Sequence, residues 1–175
     1  ARHASYRDQP AALAEIDQFG FPLVIKENGL AGGKGVVIAQ DHATAVQTVK
    51  EMFASGQARL VLEECLVGPE YSMFVLLSNG HYRILPMAQD HKRAYDSDKG
   101  PNTGGMGAYS PQPQLSAADR QAMVDQVVVP TVNGLVAGGY HYHGILYIGL
   151  IMTATGPKVI EYNVRMGDPE TESVM

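Results

Sequence analysis

Residues 88–111 read AQDHKRAYDSDKGPNTGGMGAYSP. The apolar positions here follow neither the helical spacing of about 3.6 nor the strand spacing of about 2. Asp90, Asp96 and Asp98 sit among Lys92, Arg93 and Lys99, and Pro101, Asn102, Thr103 and the pair Gly104–Gly105 follow. Stretches without period that run past roughly 12–15 residues are uncommon in compact domains, and are usually functional or disordered. The sequence on either side decides between the two.

That sequence is globular in composition: of 175 residues, 45% are apolar and 18% charged, enough for one domain or two small subdomains around a real core. A net charge of −5 argues against nucleic-acid or anionic-membrane partners, which favour basic surfaces, but leaves room for an anionic small ligand met by a few placed cations. Cys65 is the single cysteine, so there is no internal disulfide framework and a reducing compartment is indicated. With no activating histidine or CxxC partner, it reads as a buried packing residue. No apolar run approaches the roughly 18 residues that span a bilayer, and ARHASYRDQP is not a signal peptide, so the cytoplasm is the expected location. The chain starts without Met and stops at GDPETESVM, as a helical pattern could begin, and reads as a piece of something longer.

Pro10 opens and Gly20 closes a short helix over 10–19, with Leu13, Ile16 and Phe19 as its apolar stripe. The β-branched runs PLVIKE (22–27) and GVVIAQ (35–40) flank NGLAGGK and read as a hairpin with a long glycine-rich connection. Asp41 caps a helix over 43–54 striped by Val46, Val49 and Phe53, and RLVLEE (59–64) is a strand. EYSMFVLL (70–77) and YRILPMA (82–88) are strands joined by a turn at Asn79–Gly80. Ser116 and Asp119 begin a helix in capping-box fashion; it carries Met123, Val127 and Val128, and Pro130 kinks it. The strands ILYIGLIM (145–152) and PKVIEYN (157–163) follow, with a turn at Thr155–Gly156. Two groups of strands, each with its own helix, predict an α+β chain of two lobes with a ligand between them.

Gly29, Gly32, Gly33 and Gly35 surround Lys34 within NGLAGGKGVVI (28–38). Glycines let backbone N–H groups close on an anion. The Walker A pattern fails, because residue 28 is Asn where a glycine belongs, residue 35 is Gly where Ser or Thr belongs, and a strand follows instead of a helix. The dinucleotide pattern G-x-G-x-x-G fails as well. A plain flexible hairpin loop competes with a phosphate site until Lys26, at the end of the entering strand, is counted. Lysines on both sides of a glycine hairpin suit a di- or triphosphate; one lysine about 4 Å from a phosphate charge gains roughly 4 kcal/mol before desolvation at an effective dielectric of about 20.

Glu63, Glu64 and Glu70 gather around a strand end. Adjacent strand residues face opposite ways, so Glu63 and Glu64 cannot both enter one pocket. Either one is simply solvated, or the backbone at 64–66 reads a base edge while Glu70 accepts ribose hydroxyls. In KVIEYNVRMGDPET (158–171), Glu161 and Asn163 are two apart on a strand and project from one face, a pair of hard oxygen donors for Mg²⁺ with substrate phosphates completing the shell. Arg165 continues on that face if the strand runs on, and its guanidinium fork suits phosphate or carboxylate. His141 and His143 read as surface or packing residues, with no third metal ligand nearby in sequence.

Taken in order, Lys26, the glycine hairpin, the acidic strand end, the mixed-charge stretch and E-x-N-x-R resemble the ATP-grasp ligases, and within them the family that joins glycine to 5-phosphoribosylamine in purine biosynthesis. AQDHKRAYDSDKGPNTGGMGAYSP and EYNVRMGDPET are similar to that family's signature segments almost without change, KENGLAGGKGVV (26–37) resembles its nucleotide loop, and the resemblance covers nearly all of residues 20–174. It implies an α+β ATP-grasp fold of two lobes with antiparallel-rich sheets and the nucleotide between them. Residues 1–66 would be the small lobe with a glycine-rich lid loop, and residues 67–175 the larger lobe with the substrate loop and metal site. Domains flanking both ends would lie outside this chain.

The same resemblance implies ATP as the phosphoryl donor and Mg²⁺ or Mn²⁺ as the metal. Lys26, Gly32, Gly33, Lys34 and Gly35 would hold the ATP phosphates, Glu63, Glu64 and Leu66 the adenine, and Glu70 the ribose. Glu161 and Asn163 would bind the metal, with Lys34 and Arg165 as catalytic cations. Asp90, Lys92, Arg93, Asn102, Thr103, Gly104, Arg165, Asp168, Glu170 and Thr171 would face glycine and phosphoribosylamine. Small molecules are the implied partners, with no nucleic acid and no membrane, in a monomer. Four features depart from the pattern: Glu27–Asn28 in place of Ala-Asp, Glu172 in place of Gln, Cys65 in place of an aromatic residue, and no acid in ILYIGLIMT (145–153). Two alternatives remain, another ATP-grasp carboxylate–amine ligase and a non-catalytic nucleotide-binding module. The first is disfavoured by the 88–111 segment, where such cousins diverge, and the second by the retained lysines and E-x-N-x-R. Alone, the chain is expected to bind nucleotide and to be a poor catalyst.

Overall fold

The computed structural model describes residues 1–29, 35–96 and 99–175, with the backbone alone at 93, 101 and 102. Its contacts divide the chain into two compact units, Ala1–Leu66 and Val67–Met175.

In the first unit, β1 (His3–Tyr6), β2 (Leu23–Glu27), β3 (Val36–Ala39) and β4 (Leu60–Glu64) pair antiparallel in the order β1-β4-β2-β3. Asp8 caps α1 (Gln9–Glu15) by accepting from the Ala11 N–H at 2.9 Å, and Asp41 caps α2 (His42–Ala54) by accepting from Thr44 at 2.8 Å. Both helices bury one face against the alternate strand residues Leu23, Ile25, Ala39, Leu60 and Leu62. The buried stripe of α2 is Ala45, Thr48, Val49 and Met52; Val46 and Phe53, expected to lead it, flank it partly buried. Thr48 tolerates burial because its hydroxyl donates to the Thr44 carbonyl at 2.9 Å. β1 was not anticipated: HASY carries no apolar alternation, and only its pairing with β4 defines it as an edge strand.

The second unit is built on β5 (Glu70–Ser78), β6 (His81–Ile84), β11 (His143–Thr153) and β12 (Gly156–Asn163), an antiparallel sheet in the order β12-β11-β5-β6. Asn79 and Gly80 both have positive φ, 46° and 84°, the mirror-image turn that suits the strand twist of a tight hairpin. One sheet face carries Tyr71, Met73, Val75, Leu77, Leu146, Ile148 and Leu150 and is covered by Met123, Val127, Val128 and Val132 from α3 (Ala117–Met123) and the segment after it. That segment is a π-helical turn over Val124–Val128, leading into α4 (Val129–Ala137). Pro130 was expected to kink the helix. Lacking an N–H and crowding the carbonyl four residues back, it instead sits just beyond a widened turn in which Val129 N–H reaches the Val124 carbonyl. The β11–β12 turn falls at Ala154–Thr155, one residue earlier than expected, because Gly156 already pairs with Thr153.

Residues 88–111 are not one loop. β7 (Gln89–Asp90) pairs with β10 (Ala108–Tyr109), and inside that ladder β8 (Arg93–Tyr95) pairs with β9 (Lys99–Asn102). Ladders this short leave no period to detect. β6 likewise ends at Ile84, and Ala88 joins the sheet only through an isolated bridge to Ser72. A short helix, α5 (Thr171–Val174), closes the chain.

Candidate functional site

In the first unit, the sheet face opposite the helices carries Lys26, whose ammonium pairs with the Glu63 carboxylate. The register explains this: Val24 stands opposite Glu63 and Lys26 opposite Val61, so the two charges meet on the diagonal of one face. Val36 and Ile38 lie on that face too, 48% and 38% exposed, and give it an apolar floor. Glu64 points the other way and accepts from the Arg2 backbone N–H at 2.7 Å, as strand alternation requires. The Gly35 carbonyl accepts from Glu27 N–H at 2.9 Å and closes the hairpin base. Gly32, Gly33 and Lys34 lie outside the described residues. Leu66 follows β4, and Cys65, expected to be buried, is only half-buried, with burial pushing its thiol upward.

In the second unit, the sheet face away from α3 and α4 holds Glu70, Ser72, Phe74, Tyr147, Gly149, Glu161 and Asn163, because these residues stand opposite one another across β5, β11 and β12. Glu161 lies across from Gly149, where a Cβ would come within 3.2 Å of Glu161 Cγ. β12 ends at Asn163, so Arg165 does not continue on its face; it is exposed, and its guanidinium donates to the Met166 carbonyl at 2.7 Å. Among the described residues, no three His, Cys, Asp or Glu side chains gather as a metal cage. Glu161 and Asn163 present two hard oxygen donors on one strand face, the donor type that Mg²⁺ takes alongside phosphate and water.

β7 and the residues after it bring a cation onto the same face. Lys92 Nζ is 3.2 Å from Glu70 Oε2 and 3.9 Å from Asp90 Oδ2. Burial alone would push Lys92 down, but Glu70, Tyr147 and Asp90 override it and hold the ammonium above the usual lysine range. Asp90 is raised, first by burial and then by Glu170 and Glu70, with Lys92 pulling the other way. Two carboxylates thus share one ammonium, and the cluster has net negative charge to offer a second cation. Thr103 fixes the adjoining turn: its hydroxyl donates to the Lys92 carbonyl at 2.9 Å and accepts from Gly105 N–H at 3.1 Å. Gly104 and Asp168 are exposed, and Thr171 donates to the Gly167 carbonyl. The side chains of Arg93 and Asn102 lie outside the described residues.

Sequence reasoning missed Ser72 and Tyr147. Both are polar residues at inward positions of otherwise apolar strands, and that is the signal that could have found them. Ser72 Oγ donates to Glu170 Oε1 at 2.7 Å and lies 3.1 Å from the Tyr147 hydroxyl. Burial pushes the Tyr147 phenol up to about 12, against the opposing pull of Ser72 and Lys92.

An α+β chain with a lysine on one antiparallel sheet and an E-x-N pair on another has the architecture of the ATP-grasp class. Its fold is similar to that of carboxyaminoimidazole ribonucleotide synthase from Aspergillus clavatus, solved with ATP, with a TM-score of 0.70 over 96% of this chain and 41% of that one; at 14% identity the likeness is of fold alone. Residues 1–171 match the family model described as phosphoribosylglycinamide synthetase, ATP-grasp (A) domain, and the chain belongs to that family. It is 48% identical over 180 aligned positions to phosphoribosylamine–glycine ligase of Streptococcus pyogenes serotype M18, covering 100% of this chain and 43% of that protein. The crystal structure of phosphoribosylamine–glycine ligase from Thermotoga maritima is similar with a TM-score of 0.90 and 35% identity, covering 99% of this chain and 45% of that one. The chain thus spans less than half the length of these relatives.

Proposed function

We propose that the protein to which this chain belongs joins glycine to 5-phosphoribosylamine at the expense of ATP, in purine biosynthesis. The observation that carries this is the sheet face of the second unit, which Glu161 and Asn163 share with Glu70, the residue that Lys92 of the 88–111 segment pairs with beside Asp90. A carboxylate oxygen of glycine attacks the γ-phosphorus of ATP and ADP leaves. The amine nitrogen of phosphoribosylamine then attacks the carbonyl carbon of the glycyl phosphate, loses a proton, and expels phosphate to leave the amide. Both steps bring anions together, so placed cations and exclusion of water are what the protein must supply.

In this proposal Lys26, Lys34 and the loop glycines hold the ATP phosphates, the backbone at 64–66 and the face around Glu63 receive adenine, and Glu70 offers its remaining oxygen to the ribose. Glu161 and Asn163 would hold Mg²⁺ or Mn²⁺, which when bound neutralises phosphate charge. Lys92 attracts a substrate carboxylate or phosphate while Asp90 and Glu70 favour the glycine ammonium; Arg93, Asn102, Thr103, Gly104, Asp168 and Thr171 line the rest. Arg165, exposed and off the strand, would act with Lys34 as a catalytic cation toward the transferred phosphoryl group. The remaining length of the parent protein supplies further substrate contacts, so this stretch alone binds nucleotide and turns over poorly. A cytoplasmic monomer is the form we expect; among the described residues no helix is long and apolar enough to cross a membrane.

The test is ADP formation by the full-length parent. It should require ATP, Mg²⁺, glycine and phosphoribosylamine together, and Lys26→Ala should raise the KM for ATP about ten- to a hundredfold, the loss of one charge-assisted contact of roughly 1.5–3 kcal/mol. Equal turnover with another carboxylate in place of glycine would assign a different ATP-grasp ligase. Nucleotide binding without any ADP formation would assign a non-catalytic module.

A further inference from the structure

Glu170 lies in a segment expected to touch substrate, yet the residue is only 3% exposed, and its partners Ser72 and Tyr147 are 2% and 4% exposed. A serine has one proton to give, and Ser72 gives it to Glu170 Oε1 at 2.7 Å. The Tyr147 hydroxyl, 3.1 Å away, is therefore the donor to Ser72, and the three groups form a chain that runs one way, from Tyr147 through Ser72 to Glu170. The other carboxylate oxygen is wrapped by its own loop: a Cβ at Gly167 would fall 2.5 Å from Glu170 Oε2. Phe74, Met166 and Val174 pack with Tyr147, and a hydrogen bond in such an apolar setting holds its geometry firmly. This carboxylate faces the protein, not a ligand.

We propose that Ser72, Tyr147 and Glu170 are positioning residues, a polar bolt that fixes segment 165–171 to the sheet and so sets where Arg165 and Asp168 meet substrate. The proposal rests on the ligase function above. Among the described residues, the segment's other hydrogen bonds are local, such as those from Thr171 to the Gly167 carbonyl and from the Ser173 and Val174 amides to the Glu170 carbonyl. The bolt reaches the other signature segment as well. Gly105, at φ 126°, approaches Pro169 so closely that a Cβ would stand 2.4 Å from Pro169 Cδ, so a shift of 167–170 carries the 103–107 turn with it.

The test uses the full-length parent with Ser72→Ala, Tyr147→Phe, Glu170→Ala and Glu170→Gln. Ser72→Ala and Glu170→Ala should raise the KM for glycine or phosphoribosylamine about ten- to a hundredfold, the effect of a misplacement on the order of 1 Å, with the KM for ATP within about twofold of wild type. Glu170→Gln keeps an acceptor oxygen for Ser72 and should retain most of the activity, and Tyr147→Phe should shift the same KM in the same direction by less. Hydrogen exchange gives a readout that does not depend on the reaction: amides of 165–174 and of the 103–107 turn should exchange faster in Ser72→Ala, with the rest of the chain unchanged. Glu170→Gln as damaging as Glu170→Ala would overturn the proposal, because the charge itself would then act on substrate. So would Ser72→Ala with unchanged kinetics and exchange, or with both KM values and the exchange of the whole unit shifted together. A wild-type parent without glycine-dependent turnover would refute the ligase function, and the exchange comparison would still decide the bolt.

Discussion

Tyr147 shows at the scale of one side chain what burial does to this site. Its phenol is pushed up to about 12 by burial, so the folded protein holds that proton more tightly than the unfolded chain, where a tyrosine loses it near about pH 10. Stability from this group is fully present below about pH 10 and is lost as the pH rises toward 12. Lys92 acts with the same sign: its proton is also held more tightly in the fold, so its contribution fades above the ordinary lysine range. Thermal melts between about pH 9 and 12 should therefore show a steep alkaline loss that Tyr147→Phe makes shallower, at a cost near neutrality of about 1 kcal/mol for the lost hydrogen bond. Equal slopes in the two proteins would contradict the assignment. The E-x-N pair was legible in the sequence because strand alternation alone puts Glu161 and Asn163 on one face. The Lys26–Glu63 pair was not, since diagonal contacts depend on register, which one strand does not reveal. Nor was the burial of Glu170, because GDPET has no period to say which way it faces.

Among the elements, β5 and β11 position the site, and their junction is tight. Gly68, at φ 151°, leads into β5 where a Cβ would stand 2.0 Å from the Met152 carbonyl oxygen, and Met152 N–H donates to the Pro69 carbonyl at 3.0 Å. Gly68→Ala should destabilise the second unit by at least the roughly 1–3 kcal/mol that a strained backbone residue costs, read by denaturant unfolding. Gly104→Ala, with nothing within 4 Å of the added methyl, should leave unfolding unchanged and serves as the control. Long elements were readable from the sequence: α2 and its Asp41 cap, the β2–β3 and β11–β12 hairpins, and the Asn79–Gly80 turn. The failures share one cause, in that tertiary pairing created structure where local pattern was weak. β1 exists through β4, the ladders within 88–111 through each other, and the π turn through the demands of Pro130.

The whole molecule is two units, each an antiparallel sheet backed by helices on one face, and the proposal places the chemistry on the opposite faces. Periodicity gave only α+β. The ATP-grasp assignment came from the order of motifs along the chain, and the family match over residues 1–171 agrees with it. The division of labour proposed here puts phosphate contacts on Lys26 and its hairpin, and metal and substrate contacts on the face of β5, β11 and β12. It stands or falls on the route the oxygen atoms take. The deciding measurement is to give the full-length parent glycine labelled with heavy oxygen in its carboxylate, together with ATP, Mg²⁺ and phosphoribosylamine, and to weigh the inorganic phosphate released. Attack of the carboxylate on the γ-phosphorus predicts one labelled oxygen in each phosphate. Unlabelled phosphate, released while the amide forms, would contradict the account.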